Sequence, residues 1–475
     1  MLTRRPGAIR LALKVAQEWD RGNKALSWVR DAREQVGDAN DARRHFYEER
    51  ASCYTLVCNV IEAVDHAYNT QGPVPDGVIS QVTRRKHEAY EQINNSDDEV
   101  FQNYLYDWYM QNGWAERLLE INSPFVVDYL RQSSETNLAH ADLLWRYYAH
   151  YNDYLSAAET QYQLAKSTLP LTLEKRIEYL SRAKANASTR MTGFSETGVR
   201  NRQSRQELLR NISDHLDIAN IQDDVLQRIK GDERLVGKRR EDVVEHLNGQ
   251  IHPLDELYHD YADQAGYYDI CLLIYHAADY RSVPDIRSTW TNLIDQTHRN
   301  AVADRHGAPW EIVALKVEDL GHRTNLNDNV FPVNIVLQLI LQYDLEFYVH
   351  DANAPNTQNL ALNANLTWPI DVFIRLNAPF EGLVATLEAL WYAQEHPFAG
   401  RNRKLLVKWI IYLVEQWATV SRRTGALFGG PENAIGLAEV MRIILGSDVL
   451  GRDMDDQAWI QRARDVSAVV EEAAR

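Results

Sequence analysis

Between residues 96 and 188 the apolar positions repeat in short helical stripes, each closed by a clear stop. Val100, Phe101, Tyr104, Leu105 and Trp108 follow the i, i+1, i+4, i+5, i+8 spacing of one buried helix face. Ser96 and Glu99 form an S-x-x-E pattern before it, the expected capping box for the first free amides. Gly113 is expected to end that helix in the left-handed conformation. A short helix then carries Leu118, Leu119 and Ile121, and Ser123 caps the next, with Pro124 where a missing amide costs nothing. Longer stripes run through Leu143, Leu144, Tyr147, Tyr148 and Tyr151, and through Tyr154, Leu155, Ala158, Tyr162 and Ala165. A last one carries Leu173, Ile177 and Leu180. These are faces of helices stacked on helices, with Leu144, Tyr148 and Leu155 expected at the contacts.

The same 3.6-residue period governs the rest of the chain. Two helices are expected within 6–36, one over 41–68 opened by Asp41, and one over 78–93 after the turn-rich 71–77. A loop at 188–201 precedes a long helix from about 203 to 229, and shorter helices follow near 243–247, 254–265, 270–278, 286–300, 310–320 and 330–348. The Asn-rich run at 351–368 breaks the pattern, and helices resume at 369–376, 380–393, 403–421, 433–445 and 457–474. Strict alternation is almost absent, and no fixed repeat of about 34 or 40 residues recurs. At 475 residues the chain exceeds the ~250–300 that one core organises. The expected fold is all-α, an elongated irregular helical-pair solenoid. It divides into a main solenoid at 1–350, an Asn-rich loop at 351–369 and a C-terminal helical segment at 370–475 that continues the solenoid.

The runs LYDWYMQNGWAERLLEINSPFVVDYL, DLLWRYYAHYNDYLSAAETQYQLA and LEKRIEYLSRA resemble the C-terminal α-helical solenoid of a large non-repetitive scaffold nucleoporin, of the nucleoporin 155/170 family. That family joins an N-terminal β-propeller to a helical solenoid in the inner ring of the nuclear pore complex. The resemblance implies a C-terminal fragment with a structural role at the nuclear envelope, supporting nucleocytoplasmic transport. It implies, as partners, linker segments of other nucleoporins. Membrane contact is not expected of this part of such a protein.

Charge and chemistry narrow the picture further. A formal charge of −16 argues against nucleic-acid binding, which needs clustered cations to neutralise phosphates, and favours neutral or basic linkers. Cys53, Cys58 and Cys271 supply neither a disulfide framework nor a paired C-x-x-C metal spacing, so a reducing compartment is expected. The most apolar window, 405–420, is interrupted by Lys408 and Glu415, which marks a core helix and not a membrane span. Glu256 and His259 make one Glu-x-x-His pair, with His246, His252 and Asp260 nearby. A di-iron bundle needs that pair twice, and Glu318/His322 and Glu346/His350 are one residue too far apart. The Gly-rich run at 424–436 lacks the order of a phosphate-binding loop. No catalytic, cofactor-binding or metal residue is expected, nor a small-molecule substrate, so the protein is read as a binder and not an enzyme. Its rivals are a vesicle-coat or TPR-like adaptor solenoid and a metal-dependent helical-bundle enzyme.

The helix over 41–68 is apolar round about two thirds of its wheel, against the ~100° of an ordinary surface helix. Phe46, Val57, Val60 and Val64 form one stripe, and Tyr47, Tyr54, Cys58 and Ile61 a second beside it. Either neighbouring helices cover both stripes, or Tyr47, Tyr54, Cys58 and Ile61 line a groove for a partner peptide.

Periodicity without β-alternation predicts a strongly helical circular dichroism spectrum. Small-angle scattering is expected to give a radius of gyration clearly above the ~23 Å of a compact domain of this length. A value near 23 Å would overturn the solenoid.

Overall fold

A computed structural model describes residues 5–34, 41–72, 79–189, 199–304, 307–348, 366–424, 427–447, 449–451 and 454–475. Every regular element among them is helical. The Asn-rich loop lies outside the described residues except for 366–369, as do 73–77 of the first turn-rich joint and 190–198 of the expected loop at 188–201. The helices gather into two compact units, one formed by residues 1–223 and 232–251, the other by 224–231 and 252–475.

The first unit is built round α3 (Ala42–Asn69), which packs against α1 (Arg5–Trp19), α2 (Lys24–Glu34), α4 (Gln81–Asn94) and α5 (Glu99–Gln111). Asp41 caps α3, its Oδ1 accepting the Arg43 amide at 2.8 Å. Inside this packing sits a charged group that periodicity does not anticipate. Arg50 is 2% exposed, and its Nη2 donates to Asp98 Oδ1 at 2.7 Å and its Nη1 to Asp20 Oδ2 at 3.2 Å. Its Nε donates to the Tyr54 hydroxyl at 2.8 Å, which donates in turn to Asp98 Oδ2 at 2.7 Å. Both carboxylates also hold helix starts. Asp20 accepts the amides of Lys24 and Ala25 (2.8 and 2.9 Å) at the head of α2, and Asp98 accepts that of Phe101 (3.2 Å) at the head of α5. The capping box expected from Ser96 and Glu99 is therefore replaced. Asp98, fixed from outside by Arg50, is the cap, and Glu99 turns outward to pair with Arg30 at 2.6 Å.

Beyond α5 the left-handed Gly113 (φ 73°) ends the helix, and a short 3-10 segment, Ala115–Glu120, leads onward. Then come α6 (Pro124–Ser134), α7 (Leu138–His150), α8 (Tyr154–Lys166) and α9 (Leu173–Ser188), each packed on the one before. Ser123, Asn137, Asp153 and Thr172 cap these four helices in order, each accepting an orphan amide of the first turn. Leu144 and Tyr148 are buried as expected, but Leu155 is only half-buried, because the inward face of α8 passes through Ala157, Ala158, Tyr162 and Ala165. Arg176 of α9 is buried against carbonyls alone: Ala165 and Ser167 at 2.7 Å, Leu169 and Gly249 at 2.9 Å. Three of these lie in the last turn of α8 or just past it, where backbone carbonyls lack helical partners and carry partial negative charge. The unit is completed by α10 (Val199–Gly231), as far as Asp223, and by α11 (Lys238–Leu247). Gln222 of α10 donates to the carbonyls of Leu247 (2.7 Å) and Gln250 (2.8 Å).

In the second unit, α12 (Leu254–Glu256) and α13 (Asp263–Ala265) are joined by a π-helical turn, Leu257–Ala262. There follow α14 (Tyr268–Ala277), α15 (Val283–Asp304), α16 (Pro309–Arg323), α17 (Val333–Phe347) and α18 (Trp368–Arg375). The last four are α19 (Phe380–Ala393), α20 (Arg403–Thr424), α21 (Pro431–Gly446) and α22 (Met454–Ala473). From α14 on, each packs on the next helix or the next but one, the contact order of a helical stack without repeats. Buried tryptophans pin it, each with its indole N–H satisfied: Trp290 on the Val330 carbonyl (2.9 Å), Trp368 on Asp344 Oδ1 (2.7 Å), Trp409 on the Leu366 carbonyl (2.8 Å). Helices α16 and α18 meet where Gly321 leaves no room for a Cβ, which would lie 2.7 Å from both Leu376 methyls. The 405–420 core helix is confirmed as part of α20. Its Lys408 is buried, reaching Asp455 at 2.7 Å and Asp456 at 3.0 Å on α22.

Removing Arg50 leaves two buried carboxylates without their cation, a change that typically costs ~3–5 kcal/mol. Arg50→Leu is therefore expected to melt the first unit early. Tyr54→Phe, which loses one buried hydroxyl, should cost about 1–3 kcal/mol. Thermal melts of both variants check the order, and an unchanged Arg50→Leu melt would contradict it.

The second unit carries a pH-dependent counterpart. Burial alone would raise the Asp456 carboxyl, but hydrogen bonds from Lys404 Nζ, the Gly451 amide and Lys408 hold it well below the usual carboxylate range. A carboxyl depressed by folding stabilises the native state above its unfolded pKa of ~3.9, and that contribution is lost as pH falls below it. Asp456→Asn should thus lower the melting temperature at pH 7, and the gap from wild type should shrink below about pH 4. A gap that does not change with pH would refute this assignment.

Candidate partner-binding groove

The structure places the second stripe of α3 inside the first unit. Tyr54, Cys58 and Ile61 are 0%, 3% and 0% exposed, and Tyr47 is half-buried with its ring 4.7 Å from that of Trp28. The partner groove expected at Tyr47, Tyr54, Cys58 and Ile61 is therefore corrected. α3 is apolar on two sides because α1, α2, α4 and α5 surround it. Burial also pushes the Cys58 and Cys271 thiols up to about 12, which removes the thiolate that nucleophilic chemistry needs.

The Glu-x-x-His pair does not act as a pair. Glu256 accepts from His252 Nδ1 at 3.0 Å, while His259 is exposed and packs edge-on against the Tyr258 ring.

A groove does exist, elsewhere in the first unit. It occupies about 1040 Å³ between the C-terminal end of α6, α7, α8 and the early turns of α10, at the upper end of the ~300–1,000 Å³ usual for ligand pockets. Its floor is apolar, from Ala141, Leu144 and Tyr148 of α7 and Tyr162 of α8, all buried. The floor is also fastened. Arg131 donates to the Tyr148 hydroxyl at 2.7 Å, the Tyr162 hydroxyl shares a hydrogen bond with His215 Nδ1 at 3.2 Å, and Lys166 Nζ lies 5.1 Å above the Tyr162 ring. A smaller hollow of about 380 Å³, lined by Arg30, Asn103, Phe125 and Tyr129 among others, shares Arg131 with it.

The polar groups of the groove suit contact better than catalysis. Ser134, Thr160 and Ser167 donate their hydroxyls to helix carbonyls at Arg131, Ser156 and Leu164 (2.7, 2.8 and 2.7 Å), so no base activates them. Partial burial, then the nearby Asp153 carboxylate, raises the Glu159 carboxyl above its ordinary value. Sequence reasoning missed this site because its walls come from helices as far apart as Arg131 and Asn211. No single wheel records that assembly.

Comparison with known proteins places this architecture. The family described as non-repetitive/WGA-negative nucleoporin C-terminal matches residues 1–437. Nucleoporin NUP170 of Chaetomium thermophilum is 38% identical over 468 residues, which are 94% of this chain and 32% of that protein. Nucleoporin NUP170 of Saccharomyces cerevisiae is 30% identical over 296 residues, covering 61% of this chain and 19% of its own. The chain thus spans about a third or less of the length of these relatives. The crystal structure of the Chaetomium thermophilum Nup170 CTD in complex with Nup145N aligns with a TM-score of 0.86 at 37% identity, over 98% of this chain and 88% of that one. With the family matched over most of its length, and its helices superposing on those of a solved relative, the chain belongs to the non-repetitive nucleoporin C-terminal family.

Proposed function

We propose that this protein is a structural scaffold of the nuclear pore complex inner ring. It acts at the nuclear envelope by binding linker segments of other nucleoporins, and it supports nucleocytoplasmic transport. It is a binder and not an enzyme. One observation carries this reading: a solved relative that matches 98% of the chain, the Nup170 CTD of Chaetomium thermophilum, is held in a complex with Nup145N. The groove adds support, with a floor of buried aromatic and aliphatic side chains under hydroxyl-bearing walls. Short peptides dock in this way, placing a few apolar anchors among polar contacts. The adaptor-solenoid alternative predicts the same helices but a different address.

Two measurements test the proposal together. Immobilised protein is expected to retain at least one recombinant nucleoporin linker segment with a dissociation constant in the micromolar range or tighter, worth ~8 kcal/mol or more. A fluorescently tagged chain, expressed with its native flanking sequence, is expected at the nuclear rim. Retention of no linker segment, together with cytoplasmic puncta, would replace the scaffold reading with the adaptor one.

A further inference from the structure

The groove between α6, α7, α8 and α10 carries a charge pattern that specifies its occupant. Three carboxylates stand along it: Glu135 just past α6, Glu159 on α8 and Glu207 on α10. None of the three has an ion-pair partner among the described residues. The two cations that share the groove keep their charge but form no direct ion pair with them. Arg131 is engaged with the Tyr148 hydroxyl, and Lys166 lies over the Tyr162 ring. Elsewhere in the same unit an exposed carboxylate finds its cation, as Glu116 does with Arg146 at 2.6 Å. With three carboxylates against two cations, the groove carries a small excess of acidic groups over an apolar floor, on a protein whose net charge of −16 draws cationic partners toward it over long range.

The walls indicate the partner's backbone. Hydroxyls of Ser134, Thr160 and Ser167 already donate to their own helices, but each oxygen keeps acceptor capacity for an incoming N–H. A helix has few amides left to offer after its first turn. An extended chain keeps all of its own and alternates side chains between floor and rim.

We infer that this groove docks an extended, basic peptide segment, with an apolar side chain on the floor formed by Leu144, Tyr148 and Tyr162, and Lys or Arg side chains facing Glu135, Glu159 and Glu207. This rests on the scaffold reading above and names the chemistry and the place of one linker contact. A cation beside Glu159 also relieves the repulsion from Asp153 that the free protein leaves uncompensated.

The test uses the full 475-residue chain and fluorescein-labelled peptides tiled across the nucleoporin linker segments assayed above. Fluorescence anisotropy compares wild type with the double variant Glu159→Lys/Glu207→Lys and with Thr160→Trp, which fills the groove without changing charge. The expected result is that the tightest tile is basic, that both variants weaken it at least ~10-fold with unchanged melts, and that added salt weakens it in wild type. If the double variant melts early, Glu159→Gln takes its place, with an expected loss of about 2- to 3-fold. Tiles that bind wild type and both variants equally would overturn the groove assignment and leave the scaffold reading standing. A tightest tile that is acidic, or that gains affinity from Glu159→Lys/Glu207→Lys, would overturn it equally. Binding of no tile to wild type would overturn the groove assignment, while retention of whole linker segments and the nuclear-rim signal decide the scaffold reading separately.

Discussion

The guanidinium of Arg50 holds the heads of two helices against the middle of a third. Its two carboxylate partners, Asp20 and Asp98, each accept backbone amides at a helix start and a charged hydrogen bond from the arginine. The arrangement is electrostatically closed in a way that a count of side-chain charges hides. Two carboxylates face one cation, and the excess negative charge sits at the N-terminal ends of α2 and α5, where the helix dipoles are positive. Desolvating three charges is costly, so an ion cluster of this kind is a weak source of net stability. What it fixes is direction. α2 and α5 can approach α3 only with their first turns presented to Arg50, and the hydrophobic contacts of Tyr54, Val57 and Ile61 then fall into one register.

The same device recurs wherever irregular packing needs a fixed angle. Arg176 collects carbonyls from the last turn of α8 and the residues just past it. Lys404 and Lys408 meet the head of α22 through Asp456, which also accepts the Gly451 amide. In a true repeat protein each interface is specified by its copies. Here the sequence shows no fixed repeat, and these three junctions each carry their own polar key, placed at helix ends because that is where backbone groups lack partners.

This explains which parts were legible in the sequence. Helices were, because apolar spacing is a local signal: residues 380–393 were expected as a helix and form α19, and Gly113, Ser123-Pro124 and Asp41 stop or start helices as read. The keys were not. On a helical wheel Arg50 counts as a polar, outward residue, and nothing near it announces Asp20, thirty positions earlier, or Asp98, forty-eight later. The false capping box has the same origin. Ser96 and Glu99 satisfy a local pattern, but Asp98 has a distant partner, and the distant partner decides. The breadth of the apolar arc on α3 is legible in the sequence. Its meaning was not settled, since a helix wrapped by neighbours and a helix lining a groove give the same wheel.

The site differs from the fold in one physical respect. The charged groups of the core, Arg50, Asp20 and Asp98, are paired with one another, whereas Glu135, Glu159 and Glu207 on the walls of the groove between α6 and α10 form no ion pair among the described residues. Glu135, Glu159 and Glu207 stand exposed along one channel, open to a partner's cations. The Cys58 and Cys271 thiols are raised and buried, and the groove hydroxyls of Ser134, Thr160 and Ser167 are engaged with helix carbonyls. The groups left over are those that recognise charge and backbone. A surface that withholds reactive groups and leaves complementary ones open is suited to holding another chain, and the sign of its open charges fixes which kind of chain it can hold.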